Sequence, residues 1–190
     1  MTPLIVGLLL FLGAHSVSVV ADAWRNAMVE RLGEGAWKGV YSLVSAAGLG
    51  LIVYGYSVAR GSPAVLYVPP PGLRHLSFLV MLPVFPLLLA AYLPGRIKSA
   101  TRHPMLLATL LWGVAHLLVN GMAADVALFG GVALWALFDL LSFTRRTPRP
   151  LQTAPAGPFN DVFAVVGGLV TYAVILMWAH RALIGVSPLG

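Results

Sequence analysis

Residues 3–21 have the sequence PLIVGLLLFLGAHSVSVVA, which contains no Asp, Glu, Lys or Arg. A helix rises about 1.5 Å per residue, so about 20 apolar residues cross the hydrocarbon core of a bilayer. No basic residues precede the stretch, and it contains His15, Ser16 and Ser18, which the apolar core of a signal peptide does not need. We therefore expect a retained transmembrane helix.

The rest of the chain follows the same pattern. Of its 190 residues, 59% are hydrophobic and 9% are charged, whereas about 25% of the residues of a soluble domain are charged. Further apolar segments cover residues 37–59, 76–93, 104–120, 123–143 and 162–184. This predicts an all-α fold, a polytopic membrane helix bundle of about six transmembrane helices in a single domain over residues 1–190. Because the fourth and fifth segments nearly abut, five helices with one re-entrant pair are the alternative.

The basic residues are distributed unevenly between the two sides of this bundle. Nine of the twelve lie in the loops after the first, third and fifth segments, and three, Arg60, Arg74 and Arg181, lie on the other side. Loops rich in Lys and Arg stay in the cytoplasm, so both termini are expected outside it. Basic residues between apolar segments, rather than on one face, favour contact with membrane lipids and argue against a nucleic-acid partner. The absence of cysteine excludes disulfides, thiolate metal sites and covalently attached haem.

Five histidines occur, and the predicted topology sorts them by depth. His75 and His180 fall at the outer ends of their segments, where an interfacial histidine is ordinary. Counted from the outer edge at about 1.5 Å per residue, His15 lies ~18 Å deep, His103 ~25 Å and His116 ~6 Å. A polar group at membrane depth is costly, so His15 either hydrogen bonds to a neighbouring helix or binds a metal or haem. Its position alone does not separate the two interpretations.

A haem held between two histidines would need them from different helices. His103 and His116 are thirteen residues apart, hence ~20 Å along one helix, whereas two axial nitrogens at ~2 Å from one iron are about 4 Å apart. The depths favour His15 with His103 as iron ligands, with an offset of ~7 Å against ~12 Å for His116, which we keep as the reserve ligand. Arg96 and Arg102 are expected either to pair with haem propionates or to anchor the chain at the membrane surface.

Other residues complete this hypothesis. The aromatic side chains of Trp112 and Tyr41 are expected to form walls of the haem site. Asp139 lies near the end of the fifth segment, and a carboxylate there needs a cation. We expect it to pair with Arg145 or Arg146.

Several short motifs occur in an order that resembles the NnrU family of bacterial membrane proteins. The resemblance covers most of the chain up to about residue 143, and the last segment is less diagnostic. The motifs are Leu12-Gly13-Ala14-His15-Ser16, Arg31-Leu32-Gly33-Glu34, Tyr41-Ser42-Leu43-Val44-Ser45, Gly55-Tyr56, Thr101-Arg102-His103-Pro104-Met105 and the segment 112–121.

This resemblance implies a function and a cofactor. NnrU proteins are associated with denitrification, as factors linked to nitrite and nitric oxide reductases, so a respiratory reductase is an expected partner. The plant 15-cis-ζ-carotene isomerase looks like a relative, and it holds haem b between two histidines to isomerise a polyene double bond. Its ligand motifs are similar to those around His15 and His103. The resemblance thus implies haem b in a bacterial inner membrane, serving either denitrification or isomerisation of a lipophilic polyene.

A second resemblance gives the alternative function. An Arg-His-Pro helix start followed by a Trp and a His is similar to membrane methyltransferases of the isoprenylcysteine carboxyl type, which bind S-adenosylmethionine there. Those enzymes also carry an acidic pair downstream, close to the last helix. The matching segment here, residues 144–150, has the sequence TRRTPRP and contains no acidic pair. That departure counts against a methyltransferase.

Overall fold

The computed structural model describes residues 1–146 and 151–190, so Arg149 of the third basic loop and the rest of residues 147–150 lie outside the described residues. The described chain is mostly helical. In chain order the helices are α1 (Thr2–Val20), α2 (Asp22–Leu32), α3 (Glu34–Arg60), α4 (Leu73–Met81), α5 (Val84–Ala90), α6 (Arg96–Thr101), α7 (Pro104–Leu117), α8 (Ala123–Asp125), α9 (Gly131–Ser142), α10 (Asn160–Val174) and α11 (His180–Ile184). One π-helical turn, Val126–Gly130, joins α8 to α9, and a second, Ile175–Ala179, joins α10 to α11.

Five of the described helical stretches are long and apolar enough to cross a membrane, which confirms the prediction of an all-α polytopic membrane protein. They are Thr2–Val20, Glu34–Arg60, Leu73–Ala90, Ala123–Ser142 and Asn160–Ile184. The remaining predicted segment is helical only over Pro104–Leu117, which has 14 residues. At about 1.5 Å per residue this helix is ~21 Å long, shorter than the ~30 Å hydrocarbon core.

The described residues form two compact units, residues 1–69 with 120–146, and residues 70–119 with 151–190. In the first unit, α1 packs along α3 over small residues. A Cβ atom on Gly48 would lie 2.8 Å from the Phe11 nitrogen, and one on Gly7 would lie 2.6 Å from the Ile52 nitrogen. Glycine at these positions therefore lets the two backbones touch, as in many membrane helix pairs. The buried cluster of this unit consists of Leu4, Leu8, Ile52, Ala59 and Ala124.

The start of the last span in the first unit is fixed by a buried carboxylate. Asp125 is 3% exposed and accepts hydrogen bonds from the Tyr56 hydroxyl at 2.6 Å and the Met122 backbone nitrogen at 3.0 Å. Beside it, the Tyr67 hydroxyl donates to the Asn120 carbonyl oxygen at 2.7 Å. Burial, together with the Asp125 carboxylate, raises the pKa of the Tyr67 phenol above its ordinary value.

In the second unit, α5 packs against α10 and α7 around the buried residues Val84, Leu87 and Ala108. The span Leu73–Ala90 is interrupted between Met81 and Val84, because Pro83 has no N–H to continue the helix. Gly168 of α10 lies so close to Pro86 that a Cβ atom there would clash with the proline ring and backbone.

A polar anchor then positions the short helix α6. The Asp161 carboxylate accepts hydrogen bonds from the backbone nitrogens of Arg96 at 2.8 Å and Ile97 at 3.1 Å. The neighbouring Asn160 amide donates to the Pro94 carbonyl oxygen at 2.8 Å. A negative charge at a helix N-terminus is favourable because the first N–H groups have no partner within the helix. The start of α10 thus fixes the segment that leads to His103.

Candidate functional site

His15 of α1 is held in one tautomer by its own helix. Its Nδ1 lies 2.6 Å from the carbonyl oxygen of Phe11, four residues earlier. A carbonyl oxygen only accepts, so Nδ1 carries the proton, and the neutral imidazole keeps its lone pair on Nε2. Among the described residues, none forms a hydrogen bond with Nε2. Histidines that bind a metal through one ring nitrogen commonly donate the other N–H to a backbone carbonyl in this way.

Aromatic rings from three helices of the first unit surround the His15 ring. The ring centroid of Phe11 in α1 lies 4.3 Å away, that of Tyr41 in α3 lies 5.3 Å away, and that of Trp135 in α9 lies 5.9 Å away. Trp135 meets the imidazole edge-on, at an interplanar angle of 85°. We call His15 with these three aromatic residues the His15 site. Its walls are apolar and rigid, so they suit a flat, hydrophobic ligand.

Hydrogen bonds fix the walls of the His15 site. The Trp135 indole N–H donates to the Ser16 hydroxyl at 3.1 Å, and that hydroxyl donates to the Leu12 carbonyl oxygen at 2.7 Å. The first bond joins α9 to α1 one residue after His15. One turn beyond Tyr41 in α3, the Ser45 hydroxyl oxygen is buried next to the Tyr41 phenol.

An ion pair lies near the C-terminal end of α9, beyond Trp135. Asp139 follows one helical turn later and is 9% exposed, and it pairs with the guanidinium group of Arg146. The Arg146 Nε donates to the Ser142 hydroxyl at 2.7 Å, and its guanidinium carbon lies 4.1 Å from the centroid of the Phe143 ring. The prediction that Asp139 pairs with Arg145 or Arg146 is therefore confirmed, with Arg146 as the partner.

A second histidine repeats the local arrangement in the other unit. In α7, the His116 Nδ1 lies 2.8 Å from the carbonyl oxygen of Trp112, again four residues earlier. The two rings stack, with centroids 4.8 Å apart. The carbonyl again requires the proton on Nδ1. The structure therefore brings Trp112 onto His116, while Tyr41, the other predicted wall, contacts His15.

His103 occupies a different position in the second unit. It is the N-cap residue of α7, directly before Pro104, and therefore lies at the opposite end of that helix from His116. Arg102, just before it, has a positive φ of 59° and an exposed side chain. Arg96 is also exposed, at the start of α6. The prediction that His103 and His116 cannot serve one iron agrees with their places at the two ends of one helix.

The two predicted interfacial histidines lie outside these sites. His75 is exposed at the start of α4, and the His180 ring nitrogen Nδ1 hydrogen bonds to the Val186 carbonyl oxygen at 2.7 Å. Over residues 1–146 and 151–190, no three His, Asp or Glu side chains converge as ligands for a metal ion. A haem brings four nitrogen ligands of its own and needs only one or two from the protein.

Sequence reasoning missed two residues of the His15 site, Phe11 and Trp135. A signal for the first was present, because an aromatic residue precedes both His15 and His116 by four positions. At that spacing two side chains meet on one face of a helix. Trp135 is brought in by the packing of α9 against α1, for which the sequence contains no local signal.

These features define a class of protein, a polytopic helical membrane protein with a histidine packed among aromatic rings within its first span. The particular family follows from comparison with family models. The chain belongs to the NnrU family, because the model described as NnrU protein matches residues 3–188. No curated protein and no solved structure matches the chain. The family match gives no support to the methyltransferase alternative.

Proposed function

We propose that this protein binds haem b in the membrane, with His15 as an axial ligand of the iron. One observation carries the proposal: the Phe11 carbonyl oxygen holds the proton on Nδ1, and Nε2 has no hydrogen-bond partner among the described residues. A neutral imidazole nitrogen with a free lone pair is the commonest metal ligand among protein side chains. The aromatic rings around it suit the flat macrocycle of a haem.

The protein's own residues would position and shield such a ligand. The Phe11 carbonyl fixes the tautomer and the rotation of the His15 ring, which makes Nε2 more basic. The Tyr41 and Trp135 rings limit the entry of water, and the bond from Trp135 to Ser16 keeps α9 beside α1. When bound, the haem would supply an iron centre capable of one-electron exchange or of coordination to an unsaturated substrate.

For the second axial position we propose His103, with His116 as the reserve ligand. The depth of the residues along the predicted spans favours His103. The local geometry supports His116, because its Nδ1 is bonded to the Trp112 carbonyl in the same manner as that of His15. Arg96 and Arg102, both exposed cations close to His103 in the sequence, are the proposed partners of one haem propionate.

We further propose that the haem serves an accessory role in denitrification, with a respiratory reductase as partner. The family match supports this role because NnrU proteins are associated with that process. Isomerisation of a lipophilic polyene is the alternative. Proteoliposomes containing the purified protein and a cis-polyene would test it: a shift of the polyene absorption bands that depends on His15 would favour an isomerase, and an unchanged spectrum would favour the accessory role.

The proposed location is a bacterial inner membrane, with both termini in the periplasm. The bias of nine basic residues against three supports this orientation, which requires α7 to cross the membrane as a sixth span. Fusions of alkaline phosphatase and of green fluorescent protein to the C-terminus test it, because the first is active only in the periplasm and the second fluoresces mainly in the cytoplasm. An active phosphatase with a dark fluorescent fusion is expected, and the opposite result would overturn the orientation.

The visible absorption spectrum tests the haem proposal. The protein is purified in detergent from haem-replete cells, and spectra are recorded before and after reduction with dithionite. We expect a Soret band with sharp reduced α and β bands, lost in His15→Ala and kept in His75→Ala, which removes an exposed histidine. A colourless wild-type protein, or equal loss in both variants, would contradict the proposal.

A further inference from the structure

The ion pair Asp139–Arg146 is placed along the same face of α9 as Trp135. Asp139 is four residues after Trp135 and Ser142 is seven residues after it, and both spacings return to the same side of a helix. Four residues correspond to about 6 Å along the axis. The guanidinium group of Arg146, which contacts both Asp139 and Ser142, therefore lies about one turn beyond the wall of the His15 site.

Arg146 is largely enclosed, unlike the arginine next to it in the sequence. Its side chain is 20% exposed and that of Asp139 is 12% exposed, whereas the neighbouring Arg145 is exposed. The Phe143 ring covers one face of the guanidinium group. A guanidinium group has five N–H donors, and the recorded bonds to Ser142 and Asp139 occupy Nε and Nη2. The remaining donors are available to a second anion.

We propose that Arg146 binds one haem propionate, so that Asp139, Ser142 and Arg146 form the anionic end of the His15 site. This inference rests on the proposed function. An iron porphyrin is apolar over most of its surface but carries two carboxylates at one edge. A ligand seated among Phe11, Tyr41 and Trp135 presents that edge beyond the aromatic walls. Arg146 is a largely enclosed cation about one helical turn beyond Trp135. Hydrogen bonds between arginine and a carboxylate are strong because both groups are charged.

Asp139 and Ser142 act in this arrangement as positioning residues. Asp139 balances the charge of Arg146 before a ligand arrives, and Ser142 orients the guanidinium group through Nε. A lysine at position 146 would keep the charge but lose the planar fork of donors. The same three residues could instead only hold the end of α9 against the following loop and stabilise the fold. The experiment therefore has to distinguish a structural ion pair from an arginine that binds a ligand.

The experiment compares two porphyrins, haem b and its dimethyl ester, in which both propionates are esterified. Apoprotein in detergent is titrated with each one, and binding is followed by the Soret band. For Arg146→Gln we expect binding of haem b to weaken by about tenfold to a hundredfold, the loss of one charge-assisted hydrogen-bonded pair, while binding of the dimethyl ester does not change. Arg145→Gln is the matched control, with the same change of charge in an exposed residue, and it should alter neither affinity.

Each outcome decides the inference. If the affinity for both porphyrins fell equally, with circular dichroism used to check for loss of fold, Arg146 would have only a structural role. No weakening for either porphyrin would also overturn the inference while leaving His15 as the ligand. If wild-type protein binds neither porphyrin, the proposed function itself fails. Asp139→Asn gives a second readout, because it leaves the charge of Arg146 uncompensated and should raise the midpoint potential of the bound haem, whereas Arg146→Gln should lower it.

Discussion

His15 and His116 share a local structure and differ in what surrounds it. Each follows an aromatic residue by four positions, contacts that ring, and directs Nδ1 to its carbonyl oxygen. The stacking partner of His116 belongs to its own 14-residue helix, whereas the rings around His15 come from three helices. A short sequence motif thus orients the imidazole in both places, and tertiary packing adds rings from α3 and α9 around His15.

The largest effect is expected from a change that separates the helices around His15. Gly48→Val places side-chain atoms against the Phe11 backbone, where a Cβ atom alone would lie 2.8 Å from the nitrogen. We expect a loss of about 1–3 kcal/mol in the free energy of unfolding and loss of most of the bound haem. The measurements are thermal unfolding by circular dichroism and Soret absorbance in detergent.

Gly50→Val is the matched control, because it lies in the same helix with no atom within 4 Å of an added Cβ. Both variants replace a glycine by a valine inside α3 and change helix propensity alike, so their difference isolates the contact of α1 with α3. If Gly50→Val destabilised the protein as much as Gly48→Val, the close approach of the two helices would not be what supports the pocket.

An intermediate effect is expected from loss of the second axial ligand, and here His103 and His116 can be compared directly. His103→Ala should convert the ferric haem from low-spin to high-spin, because one strong-field ligand is lost, while His116→Ala should remain low-spin. Electron paramagnetic resonance of the oxidised protein distinguishes these states. The reverse result would assign the second position to His116 and would show that its local geometry outweighs the depth argument.

The smallest effect is expected from loss of a single bond in the wall. Trp135→Phe keeps an aromatic ring but removes the N–H that donates to Ser16. Supporting residues of this kind commonly change affinity by 10- to 100-fold, and we expect about tenfold weaker haem binding. Titration of apoprotein with haem measures it. Trp178→Phe, at a residue that is 69% exposed, should not change haem affinity. A similar loss of affinity in that variant would show that the effect is not specific to Trp135.

Much of the fold was predictable, because each membrane-spanning helix corresponds to one continuous apolar segment of the sequence. The apolar segment at residues 3–21 became Thr2–Val20, and the one at 162–184 became Asn160–Ile184 with a π-helical turn. The fourth segment was predicted to reach residue 120, but α7 ends at Leu117. The composition stays apolar up to Asn120, so hydropathy alone could not place that boundary.

The candidate site was predictable only in part. Depth singled out His15, and a carboxylate near the end of a span indicated that Asp139 needs a cation. The Trp135 contact could not be predicted, because it depends on how α9 rotates against α1, which no local pattern specifies. The pairing of His15 with His103 and the identity of the cofactor stay predictions.

The most direct test of the central claim is chemical rescue of the His15 ligand. His15→Gly is purified and titrated with haem b in the presence and absence of free imidazole, with His75→Gly as control. If His15 binds the iron, the glycine variant should lose the low-spin spectrum and recover it when imidazole occupies the vacated space, while the control stays low-spin throughout. A His15→Gly protein that binds haem with the wild-type spectrum without imidazole would contradict the account.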